Sequence, residues 1–339
     1  MKISFLVTYY NQKKYVKQSM DSILAIDKPC DWEILVGDDG STDGTDEEVK
    51  KYIYQYPDNI KLYVMPRDSK KNYDSVKRAS ANRLNILEKS EGDYFCIIDG
   101  DDYYCDVEFI KEAIDIFTKF EKISIVMFGH REIKDGIWGN ECKFPEGKNK
   151  NFVTKEEYLK KYYVHSGACV YKKNFNVQRL EFINSLGYYD DNDIVINNLN
   201  YGEIYSVHKI IYAYRQTGMS VFTSMNALEQ AILNVKGLDI DIQLLDNRFE
   251  DILIKRNAIY VLTTFIWRYH LLDILGIQKH KKYVDNISTN EFISYSLLNY
   301  KEISDEDRRR IHCIIKKCAF YRWRFYIKEK VRYIRRNRK

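Results

Sequence analysis

One apolar segment of the chain ends in a cluster of carboxylates. Tyr94–Ile98 has the length and composition of an interior strand, and Asp99, Gly100, Asp101 and Asp102 follow it directly. Three carboxylates this close together repel one another unless a cation or hydrogen-bond donors neutralise them. Mg²⁺ and Mn²⁺ prefer oxygen ligands and are usually held by one or two carboxylates plus substrate phosphates. The segment therefore predicts either a metal–diphosphate site or a solvated acidic turn before a helix.

The N-terminal part of the chain alternates apolar strands with amphipathic helices. A second strand, Trp32–Gly37, also ends in an acidic turn, which begins with Asp38 and Asp39. Further strands are predicted at Ile3–Tyr10, Ile60–Met65 and Ile123–Phe128. Strands that alternate with helices of this length predict an α/β fold with a mostly parallel sheet. Both acidic turns would then lie at the carboxyl edge of the sheet, where such folds bind ligands.

The charge of the chain is unevenly distributed. The sequence has a formal net charge of +5, but residues 320–339 contain nine basic residues and one acidic residue, so this tail is +8 and the rest is −3. Aromatic residues such as Trp323 and Phe325 are interleaved with the basic ones, a pattern that suits an anionic membrane surface. The alternative is a helix docked on the body with a solvated basic end. No recognition motif supports nucleic acid as a partner.

Cysteine usage and hydropathy indicate a cytoplasmic protein. The seven cysteines show no CxxC spacing, and several lie in apolar segments, which is typical of reduced core residues. The six histidines do not cluster with cysteines at zinc-ligand spacing. No signal-peptide pattern follows Lys2, and no segment reaches the roughly 18 uninterrupted apolar residues of a spanning helix. With the basic tail, these features predict peripheral attachment to the inner face of the cell membrane.

Three segments of the chain form a set by their order and spacing. They are Val7–Asn11, Val36–Thr45 and Asp99–Asp102. Together they resemble family 2 glycosyltransferases, and the last looks like the family's DxD motif. The resemblance covers roughly residues 1–222. It implies the GT-A fold, a Rossmann-like mixed and mostly parallel sheet flanked by helices. It also implies a UDP-sugar donor, Mn²⁺ or Mg²⁺, and inversion at the anomeric carbon.

The resemblance gives a role to each polar residue at the predicted sheet edge. A carboxylate can accept a hydrogen bond from the N3–H of uracil, and Asp39 stands at the position of the family's uracil-reading acid. Asp99 would approach the ribose or a metal-bound water, and Asp101 would bind the metal that bridges the two phosphates. The donor-binding residues implied in this way are Thr8, Tyr10, Asn11, Asp39, Arg83, Asp99, Gly100 and Arg215.

The predicted diphosphate arginine departs from the family pattern. Arg83 falls at the arginine of an Ala-Arg-Asn-x-Gly run, but Leu84 and Ile86 replace the asparagine and the glycine. Arg78 is the alternative, and an exposed helix arginine is the non-functional interpretation. Further along, Arg215 resembles the arginine of a Tyr-Arg-x-His run and would contact phosphate through two donors. The histidine of that run is absent, because a threonine occupies its position.

An acidic segment at residues 186–194 resembles the region of the family that carries the catalytic base. Matching it residue by residue places Asp191 at the catalytic aspartate and Asp190 at the preceding glutamate. An inverting transfer needs such a base to take the proton of the acceptor hydroxyl. The alternative is an acidic helix N-terminus, which capping and the helix dipole favour. His165, upstream, is predicted to be an ordinary packed or surface histidine.

The chain is predicted to hold a catalytic domain at residues 1–224 and a helical C-terminal module at residues 225–339, because strand signals end there. The predicted function is an inverting, metal-dependent glycosyltransferase that moves a hexose from a UDP-sugar to a saccharide or lipid-linked saccharide in bacterial surface polysaccharide assembly. The alternative is a non-catalytic nucleotide-sugar or membrane-binding module. A nucleotidyltransferase is less favoured, since Tyr9–Gln12 is not a glycine-rich, basic phosphate loop.

Overall fold

The computed structural model describes residues 1–68, 70–142, 151–161 and 165–217, together with residues 237, 240–245, 249 and 252–253. The chain divides into two compact units, Met1–Val221 and Phe222–Lys339. The helical module predicted at residues 225–339 and its basic tail lie almost entirely outside the described residues. Within the described part, no helix has the length and apolar character needed to cross a membrane.

The first unit is an α/β structure built on one sheet of ten strands. Its strands are β1 Lys2–Tyr9, β2 Asp31–Asp38, β3 Ile60–Val64, β4 Tyr94–Asp99, β5 Tyr103–Tyr104, β6 Ile123–Lys134, β7 Ile137–Glu141, β8 Phe152–Val153, β9 Cys169–Lys172 and β10 Glu203–Arg215. Its helices are α1 Lys13–Leu24, α2 Thr45–Gln55, α3 Ser75–Lys89, α4 Phe109–Lys119, α5 Lys155–Lys161, α6 Val177–Ser185 and α7 Asp191–Asn198. A short 3₁₀ turn, Ser166–Ala168, precedes β9.

The strand order is β3-β2-β1-β4-β9-β6-β10-β5, with β7 paired to β6 and β8 paired to β10. The first four strands in this order are parallel, as the alternation of strands and helices predicts. β9 runs antiparallel to both β4 and β6, whereas β10 is parallel to β6. The sheet therefore has a parallel part that ends at β4 and a mixed part that begins at β9.

The hydrophobic core lies between this sheet and its helices. Central strands are buried on both faces, which is why β1 reads as a nearly continuous apolar run rather than as an alternation. Helices cover the faces with single apolar stripes. In α4, the buried side chains Phe109, Ala113 and Phe117 recur every four residues and pack toward the sheet.

Strand register brings the two acidic turns to the same edge. Thr8 near the end of β1 pairs with Gly37 of β2 on one side and with Asp99 of β4 on the other. Gly100 fits tightly at this edge, because a Cβ placed there would lie 2.0 Å from a ring carbon of Tyr9 and 2.8 Å from the carbonyl oxygen of Thr8. The turn after β4 therefore packs directly against the end of β1.

Candidate active site

The polar residues at the carboxyl edge form three neighbouring groups along the sheet. The first follows β1 and β2, the second is the acidic turn after β4, and the third combines the start of α7 with the 3₁₀ turn before β9. The end of β10 closes the second group from the side opposite β1.

The first group is centred on Asp39, a buried carboxylate with 4% of its surface exposed. The guanidinium groups of Arg67 and Arg78 each pair with one of its carboxylate oxygens. Arg67 also donates from Nε to the carbonyl oxygen of Asp39 at 2.7 Å, and its guanidinium carbon lies 3.9 Å from the ring centroid of Tyr10. Asp39 and Tyr10 are thus neighbours, as the resemblance implies. Arg78, the alternative diphosphate arginine, belongs to this group instead.

Asn11 joins the turns that follow β1 and β2. Its backbone takes the left-handed conformation with a φ of 52°, which is not helical, and α1 begins two residues later at Lys13. The side-chain oxygen of Asn11 accepts from the backbone N–H of Thr42 at 2.8 Å, and its own N–H donates to Ser41 Oγ at 2.8 Å. Asn11 therefore holds the two turns together and bounds the space beside Asp39.

The acidic turn after β4 separates its three carboxylates by environment. Asp99 accepts a hydrogen bond from the Thr8 hydroxyl at 3.2 Å. Asp102 is buried and accepts from the Tyr212 hydroxyl at 2.7 Å and from the backbone N–H of Arg215 at 2.6 Å. Asp102 therefore anchors the turn to β10, a structural role that the sequence did not reveal. Asp101 lies between these two residues.

The end of β10 lies directly against Asp101. Arg215 donates from Nε to the carbonyl oxygen of Asp101 at 2.6 Å and from Nη2 to Gln18 Oε1 at 2.7 Å. The Thr217 hydroxyl lies 3.4 Å from Asp101 Oδ2. Thr217, which replaces the family's histidine, thus lies beside the predicted metal ligand Asp101. Both of these Arg215 donors bind other groups of the protein.

Arg83 connects the second and third groups. This α3 side chain is buried, so its interpretation as an exposed helix arginine is wrong. Its Nη2 atom lies 3.4 Å from Asp99 Oδ1 and 3.0 Å from Asp191 Oδ1, and its Nη1 donates to the carbonyl oxygen of Tyr189 at 3.3 Å. Its Nε atom is buried and has no hydrogen-bond partner among the residues that the structure describes.

Asp191 is the first residue of α7, but it is not the residue that caps the helix. Asp190 accepts from the backbone N–H groups of Asn192 and Asp193 at 2.9 and 3.1 Å. Asp193 in return accepts from the N–H of Asp190 at 2.7 Å, which completes a capping box. Capping therefore accounts for Asp190 and Asp193 and leaves Asp191 to face Arg83.

Comparison with known proteins shows the family of the chain. The sequence model of glycosyl transferase family 2 matches residues 4–177. The chain belongs to glycosyl transferase family 2. It is 37% identical over 101 residues to the candidate glycosyltransferase EpsE of Bacillus subtilis, covering 30% of this chain and 33% of that protein. It is 32% identical over 114 residues to the poly(ribitol-phosphate) β-N-acetylglucosaminyltransferase TarS of Staphylococcus aureus, covering 33% of this chain and 18% of TarS.

The fold is also that of solved family structures. Residues 1–349 of S. aureus TarS in complex with UDP superpose with a TM-score of 0.57 at 18% identity, covering 97% of this chain and 91% of that one. A mannosyltransferase from Pyrobaculum calidifontis with GDP-Man and Mn²⁺ superposes with a TM-score of 0.50 at 15% identity, covering 77% and 72%. The predicted GT-A fold is confirmed. The chain spans about half the length, or less, of the curated relatives it matches.

Electrostatics distinguish the carboxylates of this family 2 site. Burial raises the pKa of Asp101 to about 6, and the charge of Asp99 adds to the effect. Burial and the charge of Asp191 likewise raise the pKa of Asp99. Burial also acts to raise the pKa of Asp191, but Arg83, His165 and a hydrogen bond from Ser166 together outweigh it and hold that pKa below its usual value. The acidic turn therefore carries more negative charge than its surroundings neutralise, whereas Asp191 stays ionised.

The turn fits a divalent cation only together with a substrate. Among the residues that the structure describes, no group of three or more His, Cys, Asp or Glu side chains is arranged to hold a metal ion. Magnesium and manganese are commonly bound by one or two carboxylates plus phosphate oxygens, a smaller requirement that Asp101 meets. Burial and the charge of Asp99 raise the pKa of Asp101, and a nearby cation would lower it again.

The segment before β9 packs against the site, and His165 in it is a packed histidine as predicted. His165 is buried, and its Nδ1 accepts from the backbone N–H of Gly167 at 3.2 Å, which leaves the proton of the neutral ring on Nε2. Its ring packs at centroid distances of 4.9 Å from Tyr212 and 4.7 Å from Tyr214. A hydrogen bond from Ser166 helps to lower the pKa of Asp191. Ser166 of this segment thus supports Asp191 in addition to Arg83, through a contact that only the fold brings together.

Proposed function

We propose that this protein is an inverting glycosyltransferase that moves a sugar from a UDP-sugar to a saccharide acceptor. The observation that carries the proposal is the position of Arg83, whose Nη2 lies 3.4 Å from Asp99 and 3.0 Å from Asp191. One side chain thus spans from the acidic turn, where a donor diphosphate would bind, to a carboxylate that can act on an acceptor. A reacting sugar between them would meet both groups.

The donor nucleoside would bind beside β1 and β2. Asp39 would accept the N3–H of uracil, because a carboxylate retains lone pairs even when two arginines contact it. Tyr10 and Arg67 would flank the base, and Thr8 and Asn11 would bound the nucleoside pocket. The solved relatives support a nucleotide-sugar donor, since TarS has been crystallised with UDP-GlcNAc and with UDP.

The diphosphate would lie over the turn after β4. Asp101 would hold Mn²⁺ or Mg²⁺, which would offset the charge that develops on the departing UDP. Asp99 and Gly100 would contact the donor, and Arg83 would direct its unpaired Nε toward a phosphate oxygen. Arg215 would reach phosphate only after releasing Gln18 or the carbonyl oxygen of Asp101.

Asp191 would act as the general base. It takes the proton of an acceptor hydroxyl while that oxygen attacks the anomeric carbon from the face opposite UDP. The new glycosidic C–O bond forms as the bond to the β-phosphate oxygen breaks, and the bonding electrons leave with UDP. Arg83 keeps Asp191 ionised, and the hydrogen bond from Ser166 fixes its direction.

Bacterial surface polysaccharide assembly is the proposed setting. The relative TarS supports it, because the name of TarS specifies a polymer acceptor, poly(ribitol-phosphate). A lipid-linked saccharide would be reached at the inner membrane face through the basic tail. Deletion of residues 321–339 should then release the protein from anionic vesicles, as high salt should, without loss of activity on a soluble acceptor. Full vesicle binding by the truncated protein would exclude this role of the tail.

A nucleotide-release screen tests the proposed reaction. UDP-sugars and GDP-mannose are each incubated with Mn²⁺ or Mg²⁺, and the freed nucleoside diphosphate is measured with and without short oligosaccharides. We expect release from one UDP-sugar, its loss on metal chelation, and stimulation by an acceptor. Binding of donors without release under any condition would instead favour the non-catalytic nucleotide-sugar module.

A further inference from the structure

The hairpin formed by β6 and β7 carries an exposed tryptophan next to the candidate active site. All five residues of β7 are exposed, among them Ile137 at 73% and Trp138 at 41%. A large aromatic side chain is costly to leave in water on an edge strand unless something covers it part of the time. Trp138 therefore offers an exposed aromatic surface at which a ligand with an apolar face could bind.

Trp138 lies beside a row of three residues on neighbouring strands. Ala213 of β10 pairs with Tyr103 of β5 on one side and with Arg131 of β6 on the other. Paired residues in neighbouring strands project to the same face, so the small alanine lies between two large side chains. The ring of Trp138 lies 6.4 Å from the ring of Tyr103, and the guanidinium carbon of Arg131 lies 5.4 Å from the Trp138 centroid.

These residues form one surface, here called the aromatic platform: Tyr103, Arg131 and Trp138. The platform is continuous with the acidic turn, because the guanidinium carbon of Arg215 lies 5.5 Å from the Tyr103 ring while its Nε binds the carbonyl oxygen of Asp101. Asp39 follows β2, near the other end of the strand order. The nucleoside pocket and the platform thus lie on opposite sides of the turn after β4.

The charges around the platform favour an uncharged ligand. Arg131 pairs with Glu141 at 3.6 Å and donates from Nε to the carbonyl oxygen of Gly139 at 3.3 Å. Glu132 lies beside it, where Asn140 donates to its Oε2 at 3.4 Å. Residues 131–141 carry two basic and three acidic side chains, a net charge of −1. This segment has no net positive charge to attract a polyanion, whereas its carboxylate, amide and guanidinium groups suit sugar hydroxyls.

We propose that the aromatic platform binds an uncharged sugar ring of the acceptor, one or more units from the hydroxyl that reacts. The apolar face of a pyranose would stack on Trp138 and Tyr103, and its hydroxyls would bond to Arg131 and Glu141. The inference rests on the proposed function and narrows it. The acceptor would be a neutral oligosaccharide rather than a phosphate-rich polymer such as the poly(ribitol-phosphate) in the name of TarS.

Binding of oligosaccharides without nucleotide tests the platform separately from donor chemistry. The probes are tetrasaccharides of β-1,4-N-acetylglucosamine, β-1,4-glucose and α-1,4-glucose, with a glycerol-phosphate oligomer as the anionic comparison. Affinity is measured by saturation-transfer NMR for the wild type, Trp138→Ala and Ile137→Ala. Ile137→Ala is the matched control because it removes an exposed apolar residue from the same strand, on its other face.

We expect at least one neutral probe to bind, with about tenfold weaker affinity in Trp138→Ala and a change of less than about twofold in Ile137→Ala. UDP affinity should be equal in all three proteins, which separates this result from any failure of the donor assignment. Equal binding in Trp138→Ala and the wild type, absence of binding by every neutral probe, or Trp138-dependent binding of the glycerol-phosphate oligomer alone would each overturn the proposal.

Discussion

The candidate active site has two halves that differ in how they are built. The donor half consists of the turns after β1, β2 and β4, and in the first two of these Asn11 and Asp39 bind partners that come from at most about forty residues away in sequence. The acceptor half consists of the 3₁₀ turn, the start of α7 and the end of β10. Its contacts include links between residues more than a hundred positions apart, such as Arg215 with Asp102 of the turn after β4.

This difference indicates which half varies most easily. Local turns fix the geometry of the donor half, so a nucleotide site can persist while the rest of the sheet changes. The acceptor half depends on the mixed strands that follow β4, where hairpins such as β6–β7 can be altered without disturbing the parallel strands. Arg83 is the residue that touches both halves, through Asp99 on one side and Asp191 on the other.

The largest effect should come from removing the base in the acceptor half alone. Asp191→Asn should lower kcat for sugar transfer by about 10²–10⁴-fold, because an amide cannot take the acceptor proton. UDP affinity should stay the same, since the donor half is untouched. Steady-state kinetics and calorimetric UDP titration measure the two quantities.

Asp190→Ala provides the matched control for that variant. It removes the helix cap and should cost about 1 kcal/mol of unfolding free energy while leaving Asp191 in place. Its transfer rate should remain near that of the wild type below its melting temperature. Normal sugar transfer by Asp191→Asn would mean that another carboxylate is the base. The assignment of Asp190 to capping and Asp191 to catalysis would then be wrong.

Replacing the shared arginine should weaken both halves together. Arg83→Met keeps most of the side-chain volume but leaves Asp99 and Asp191 without their cation. We expect a loss of about 2 kcal/mol in unfolding free energy, less than for a fully buried pair because the two carboxylates are 36% and 25% exposed. Urea denaturation measures the loss.

Arg83→Lys distinguishes charge from geometry at this position. A lysine restores a cation but cannot contact two carboxylates and a phosphate with a planar fork. It should recover most of the stability and little of the activity. If Arg83→Met is as stable as the wild type and transfers sugar normally, the two halves are not coupled through this residue.

The division into a donor half and an acceptor half also explains which parts of the site the sequence predicts. Asp39, Asp99 and Asp101 stand in turns that end apolar strands, so periodicity alone indicates their edge of the sheet. Arg83 could be placed by counting along one helix, but its contact with Asp191 depends on how α3 and α7 pack. The roles of Arg67 and Asp102 were missed because each is defined by a partner on another element.

A smaller effect, confined to the donor half, should follow from Asp39→Ala. Loss of the acceptor for the uracil N3–H should weaken UDP binding about tenfold, the cost of an unpaired buried donor. The affinity for inorganic pyrophosphate with Mn²⁺ should not change, because that ligand has no base. A parallel loss for both ligands would mean that Asp39 acts by holding Arg67 and Arg78 in place rather than by reading the base.

The smallest predicted effect concerns protonation of the turn between the halves. The pKa of Asp101 is raised to about 6, so its folded-state pKa lies above the value of an unfolded aspartate. Its ionised form therefore destabilises the metal-free protein above pH 6, and protonation relieves this as the pH falls toward 4. A metal ion binds the ionised form of Asp101, so the affinity for the metal should fall as the pH falls.

Mn²⁺ binding should weaken about twofold between pH 7 and pH 6 and about tenfold by pH 5. The measurement uses the Asp191→Asn variant with a bound UDP-sugar, because this variant should not turn over and a diphosphate esterified at both ends does not titrate in that range. The thermal stability of the metal-free protein should rise over the same interval. Mn²⁺ affinity that is constant from pH 7 to pH 5 would mean that Asp101 is not the ligand. The metal would then have to bind elsewhere in the donor half, and the turn after β4 would serve only to join the two halves.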